Sequence, residues 1–332
     1  MGYKDTDYLH AAARVTYLEN RLTTREDLVK VIGAADMGEV SRILSGKALF
    51  KDHEIQKYEE AFAADLAETY ELVEDITGEM GITEVFRYPI DGHNMKVYVK
   101  ARVAPGDFSP LYKQGGVVPA VILRKEIDEK NFGIVPKALG EAALEAIDAL
   151  AKTGDSQIVD IIIDKAVIYA IGEKAMEINS PILSRYVEAK IDLTNLKTAL
   201  RLLRMKKDTY AAAAIFAAGG QLSVEGLRKA YGMGFDGIAE LAKKMPQADH
   251  IVEVIGKIKE GGPIGLLEEG EDRYMGAIFE QTKIIPFGIE PVIAYLYKKE
   301  REIRALRLVI VSRMFDLPEE DTLERLRLIY GN

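Results

Sequence analysis

The stretch GMGFDG at 232–237 carries the one spacing with a cofactor precedent, since Gly232, Gly234 and Gly237 match G-x-G-x-x-G. Such glycines let a backbone turn tightly and present a helix N-terminus to a pyrophosphate, but the chemistry needs a strand immediately before them. The preceding LSVEGLRKAYG reads as a helix capped by Ser223, so a glycine-rich connection between two helices is expected. The four histidines, His10, His53, His93 and His250, lie far apart, and cysteine is absent. No zinc site is therefore expected. No G-x-x-x-x-G-K-[ST] loop occurs to cradle a triphosphate. The acidic runs EEGED at 268–272 and PEED at 318–321 lack the alternating Asp/Asn spacing of a calcium loop and read as solvated helix starts. No cofactor and no metal is expected.

Two sets of polar residues recur in register. Asp91, Asn94, Met95 and Lys96 read as acid, two residues, Asn, apolar, Lys, and Asp192, Asn195, Leu196 and Lys197 read the same. Glu302, Ala305, Leu306 and Arg307 give a third copy with conservative changes. Eleven residues before the acid stands Pro181 in the second copy and Pro291 in the third, with Met80 in the first. Further upstream an acid precedes a tyrosine by five positions each time, at Asp65 and Tyr70, Asp164 and Tyr169, Glu269 and Tyr274. This order implies an internal triplication.

The basic members of these copies form a row. On a helix Lys197, Arg201 and Arg204 fall on one stripe beside the apolar Leu193, Leu196, Leu200 and Leu203, with Arg304 and Arg307, and Lys96 and Lys100, as counterparts. Around an axis the three stripes would make a basic ring able to orient an acidic or polar partner. The alternative is that they pair with acids of neighbouring helices. The three acids Asp91, Asp192 and Glu302 are themselves the candidates if the chain is an all-α enzyme using convergent carboxylates.

The elements that must position these residues are mainly helical in pattern. Runs at 55–76, 138–152, 156–178, 181–205 and 291–313 combine strong helix formers with apolar residues at three- and four-residue spacing, and TTREDLVKVI opens with Thr24 as N-cap. Two places read otherwise, 84–103 and 117–126; DGHNMKVYVKARV alternates apolar and polar residues as a half-buried strand does. The repeat register argues against that local pattern and makes residues 91–103 the first copy of a core helix. Pro and Gly clusters at 104–119 and 217–221 divide the chain into three parts, expected as helical domains at 1–110, 111–216 and 217–332.

Composition narrows the function. With 332 residues, 48% hydrophobic, the chain can bury a large core, and a formal net charge of −9 disfavours nucleic-acid and direct membrane-surface binding. YAAAAIFAAGG at 210–220 is about half the roughly 20 residues a membrane span requires, and the opening MGYKDTDYLHAAARV has no apolar core of a signal peptide. No membrane insertion is expected, and a cytoplasmic location follows as an expectation.

The segments 291–330, 185–204 and 13–32 resemble the C subunit of A-type and bacterial V-type ATP synthases, equivalent to the d subunit of the eukaryotic V-ATPase. The likeness extends over essentially the full chain and is most specific at the C-terminal block. It implies an all-α funnel of three similar helical domains with pseudo-threefold symmetry. It also implies a non-catalytic rotor subunit, one copy per complex, between the D- and F-type central-stalk subunits and the membrane c-type (proteolipid) ring, and a place at the membrane only through that complex. Without the resemblance, a helical scaffold that binds peptides would fit the same residues.

Overall fold

The computed structural model describes residues 5–50, 54–78, 80–206, 215–246, 248–280 and 285–330. Among them every regular element is a helix, with no strand. The α-helices are α1 (Leu9–Glu19), α2 (Arg25–Ile32), α3 (Met37–Leu44), α4 (Tyr58–Thr77), α5 (Met80–Ala101), α6 (Ala120–Glu129), α7 (Lys137–Thr153) and α8 (Ser156–Ile178). They continue as α9 (Pro181–Arg204), α10 (Val224–Gly232), α11 (Gly234–Ala242), α12 (Asp249–Lys259), α13 (Leu266–Glu280), α14 (Glu290–Met314) and α15 (Glu319–Tyr330). His53 and residues 210–214 of the apolar run lie outside the described residues.

The five long runs expected to be helical are α4 and its 3-10 lead-in, α7, α8, α9 and α14. Thr24 caps α2 through a reciprocal box, accepting from the Asp27 amide at 3.2 Å while the Asp27 carboxylate accepts from the Thr24 amide at 3.4 Å. Ser223 caps α10 and Ser180 caps α9 through their hydroxyl oxygens. Glycine and asparagine in left-handed conformation stop α4 at Gly78, α7 at Gly154 and α8 at Asn179.

Both places whose local pattern opposed helix are helical. Residues 91–101 lie in α5, as the repeat register requires, because both sets of alternating residues find apolar or ion-pairing neighbours there: Met95, Val97 and Val99 are buried, and so is Tyr98. Segment 117–126 corrects the expectation that it is not helical. Pro119 starts α6, and Leu123 and Ile127, four residues apart, are its buried positions while Val121 is left exposed. Burial at helical spacing outweighs the β-branched content.

The chain divides into two compact units, 1–83 with 272–332, and 84–271, the boundaries falling inside α5 and α13. In the first, α14 is the central helix: Ile303, Leu306, Val309 and Ile310 pack with Leu28, Val31 and Ile32 of α2, Val40 and Leu44 of α3, Phe62 of α4 and Leu326 of α15. In the second, α9 is buried along most of its length and packs with the buried positions of α8, and Ile163, Ile171, Leu183, Leu196 and Leu200 are fully enclosed. The helix start is common to the three sequence copies: Met80 opens α5, Pro181 opens α9, and Pro291 is the second residue of α14.

Candidate functional site

Each repeated acid is buried and holds the backbone of a loop. Asp91 on α5 accepts from the amides of Val117 (3.1 Å) and Val118 (3.2 Å), and Asn94 one turn on pairs both ways with Lys113, at 2.9 Å to its carbonyl and 2.8 Å from its amide. Asp192 on α9 accepts from Gln221 and Leu222, each at 3.0 Å, and Asn195 pairs both ways with Ala217 at 2.8 Å. Asp-x-x-Asn thus puts an acceptor and an amide one helical turn apart, where together they satisfy four or more backbone groups of a passing segment. In the third copy Glu302 on α14 accepts from the Thr23 amide at 2.5 Å, and Ala305 stands where the Asn would be.

The short Asp requires close approach. A Cβ on Gly116 would overlap Asp91 Oδ1, and a Cβ on Gly220 would overlap Asp192 Oδ1. The glycine before each, Gly115 and Gly219, has φ of +92° and +105°. These glycine pairs are a sequence signal for the two loops that the reading of acid spacing alone passed over.

Burial perturbs both aspartates. It pushes Asp91 up to about 7, the amide bonds of Val118 and Val117 and the charge of Arg87 opposing it. It pushes Asp192 up to about 6 against the bonds from Leu222 and Gln221, with Glu188 adding to the rise. A carboxyl whose folded value lies above its unfolded one contributes stability that is complete below about pH 4 and lost as pH rises through 6 to 7. The melting temperature of the native chain minus that of Asp192→Asn should therefore shrink between about pH 5 and 7.5; a difference that grows would refute the assignment.

The third copy uses charge instead. Lys299, only 7% exposed, reaches Asp65 on α4 at 2.6 Å and Glu302 at 2.9 Å. Burial works to lower the Lys299 ammonium, but Glu302 and Asp65 outweigh it and hold the value above the ordinary one. Burial raises Asp65 despite Lys299. Beside this triad a cavity of about 320 Å³ is lined by Arg21, Lys47, Glu68 and Tyr295 among others. Sequence spacing did not single out Lys299, because its partner Asp65 lies more than two hundred residues away.

Every member of the basic row has an intramolecular partner. Lys96 binds Asp164, and Lys100 binds Asp160 at 2.6 Å, both acids on α8. Lys197 reaches Glu268 at 2.6 Å, and Arg201 reaches Asp164 at 3.3 Å, so that Asp164 bridges α5 and α9. Arg204 donates to the carbonyls of Gly262 and Ile258 beyond and at the end of α12. In the other unit Arg304 meets Asp272 at 3.0 Å, and Arg307 forms a two-pronged pair with Glu59 at 2.6 and 2.8 Å. These pairs are partly exposed, and each is worth roughly 0–1 kcal/mol.

GMGFDG ends α10 at Gly232 and starts α11 at Gly234, whose φ is +73°, with no strand before it. His93 bonds the Leu111 carbonyl at 2.9 Å, and His250 lies 3.4 Å from Glu253. Among the described residues no group of His, Asp and Glu is placed to hold a metal ion. Asp91, Asp192 and Glu302, the acids of the carboxylate alternative, each accept from backbone amides, those of Val117 and Val118, of Gln221 and Leu222, and of Thr23. Among the same residues no helix is long and apolar enough to cross a membrane.

Comparison with known proteins bears on what such a helical chain is part of. The sequence model of the ATP synthase (C/AC39) subunit family matches residues 11–325. The C subunit of the V-type sodium ATPase of Enterococcus hirae is 20% identical over 307 residues, covering 92% of this chain and 93% of its own. The C subunit of the A-type ATP synthase of Thermococcus kodakarensis is 26% identical, covering 93% and 87%, and that of Methanobrevibacter smithii is 25% identical, covering 96% and 88%. The match spans nearly the whole chain, and the chain belongs to the ATP synthase (C/AC39) subunit family.

Proposed function

We propose that this protein is the non-catalytic rotor subunit of a V/A-type rotary ATPase or ATP synthase. In this reading one copy connects the D- and F-type central-stalk subunits to the membrane c-type ring and transmits torque during proton or sodium transport. It is held at the membrane by that ring. Three helical domains, near 1–110, 111–216 and 217–332, are arranged with pseudo-threefold symmetry as a funnel. The observation that carries the reading is the family match over residues 11–325. The repeated acid-to-amide bonds support it physically, because torque transmission needs stiff junctions between helices, and buried bonds to a loop backbone supply stiffness that exposed ion pairs do not.

The basic row remains a proposed stalk contact, competing with a purely internal role that its ion pairs favour. One experiment addresses both. The purified chain is mixed with the stalk subunits, and binding is followed by calorimetry at two salt concentrations, together with ATP hydrolysis by the chain alone. Binding without hydrolysis is expected; failure to bind the stalk, or hydrolysis by the isolated chain, would overturn the rotor reading. Reversal of Lys197, Arg201 and Arg204 to Glu should weaken binding and reduce its salt dependence. Unchanged affinity in a folded variant would assign the row to internal pairing.

A further inference from the structure

We propose that the outer face of α6, with Arg124 lying between Tyr98 and Tyr112, is a docking surface for an acidic segment of a partner protein. One carboxylate of that segment pairs with the Arg124 guanidinium, and aliphatic side chains beside it cover Val121. The surface is distinct from the basic row and does not depend on the stalk contact proposed above.

Arg124 is exposed, and its guanidinium carbon stands 6.0 Å from the centre of the Tyr98 ring and 5.9 Å from that of Tyr112. It has no hydrogen bond and no ion pair among the described residues. Aromatic faces hold a guanidinium in one orientation and leave its fork of N–H donors open, which is the arrangement that takes a carboxylate through two parallel bonds. Asp128, one turn further along α6, is already committed: its Oδ1 accepts from the Tyr98 hydroxyl and from Arg102 at 3.0 Å.

The two rings are held in place. Tyr98 is buried, and Arg102 donates to its hydroxyl at 2.6 Å. The loop that carries Tyr112 is fastened to α5 by three latches. Asn94 holds Lys113, Arg87 donates to the carbonyls of Gly115 (3.2 Å) and Gly116 (2.8 Å), and Asp91 accepts from Val117 and Val118. A surface already fixed in its binding geometry loses little freedom on association.

Around Arg124 the surface has the composition of a protein contact. Val121, Arg124, Lys125 and Asp128 share one stripe of α6, and Val121 is 77% exposed. Val103, beside Arg102, and Leu111, beside Tyr112, are each more than half exposed. Exposed aliphatic side chains next to Arg and Tyr are the makeup of interface hot spots. With Asp128 paired to Arg102, the open charges of the stripe are those of Arg124 and Lys125, in a chain whose net charge is −9. An acidic segment complements them. Glu126, Asp128 and Glu129 on the same helix disfavour an anionic lipid surface.

The second copy of the acid motif shows that the fold does not need this surface. There Asp192 and Asn195 hold the loop before α10, but Ala199 stands in place of Tyr98, the buried Phe216 in place of Tyr112 and Glu225 in place of Val121. A loop held equally well without the tyrosines leaves those of the first copy to serve a contact outside the chain.

Photochemical cross-linking in the purified native assembly containing the full-length chain, with p-benzoylphenylalanine in place of Val121, tests the proposal. The cross-linked segment is then made as a synthetic peptide and its binding to the full-length chain is measured. A cross-link to a segment of negative net charge in another protein is expected, and the peptide should bind. Arg124→Ala should weaken that binding at least about tenfold, and Arg124→Lys by a similar factor, because an ammonium offers neither the fork nor the flat face. Both variants alter an exposed side chain and should melt with the native chain. Added salt should weaken binding to the native chain more than to Arg124→Ala. No cross-link, a cross-link to lipid, a neutral or basic cross-linked segment, a peptide that does not bind, or equal affinity of the native chain and Arg124→Ala would each overturn the proposal.

Discussion

Replacing Lys299 with Met should lower stability by roughly 3–5 kcal/mol at neutral pH, the scale for breaking a buried ion pair by removing one partner. Methionine keeps the length of the side chain but leaves Asp65 and Glu302 facing each other without the ammonium that lies 2.6 and 2.9 Å from them. Burial already raises Asp65 with Lys299 in place, and Glu302 adds to the rise. Without the cation the Asp65 carboxyl should prefer its proton more strongly in the folded chain. Raised carboxyls favour the folded state at low pH and lose that contribution as pH rises. The deficit of Lys299→Met measured by urea unfolding should consequently be smaller at about pH 5 than at about pH 8. A deficit under about 1 kcal/mol, or one equal at the two pH values, would show that the triad is not a buried charge cluster.

Asp192→Ala should cost roughly 1–3 kcal/mol, because the buried amide of Leu222 loses its acceptor, with a smaller contribution from the part-buried amide of Gln221. Gly220→Ala approaches the same contact from the other side, driving a methyl into Asp192 Oδ1 so that the carboxylate must move or the loop must lift. If one contact underlies both losses they will not add. In the Asp192→Ala background the overlap with Oδ1 is gone and only a tight 3.1 Å contact with Ile191 Cγ2 remains, so Gly220→Ala should cost less there than in the native chain. Additive losses in this double-mutant cycle would place the two residues in separate roles.

These latches were half legible in the sequence. The three acids, their register and the helix start eleven residues before each could be read from residue types alone, and the register outweighed the strand-like alternation of 91–103. The amides they hold could not. Val117, Val118, Gln221, Leu222 and Thr23 contribute a backbone N–H that every non-proline residue has, so no side-chain identity marks them. The non-helical reading of 117–126 misled for a related reason: β-branched residues describe a local preference, while Leu123 and Ile127 had an apolar surface waiting at helical spacing.

The helicity of the five long runs, the punctuation at Gly78, Gly154 and Asn179 and the caps at Thr24, Ser180 and Ser223 are set by interactions within a few residues of one another, and the sequence by itself determined them, as it did the spacing of the acid motif. Tertiary structure alone decided which acids meet backbone amides and which basic residues meet acids. It also decided that Glu302 reaches across 279 residues of sequence to Thr23. The reason is that a buried carboxylate must find donors wherever packing brings them, and packing joins segments by apolar surface rather than by order along the chain.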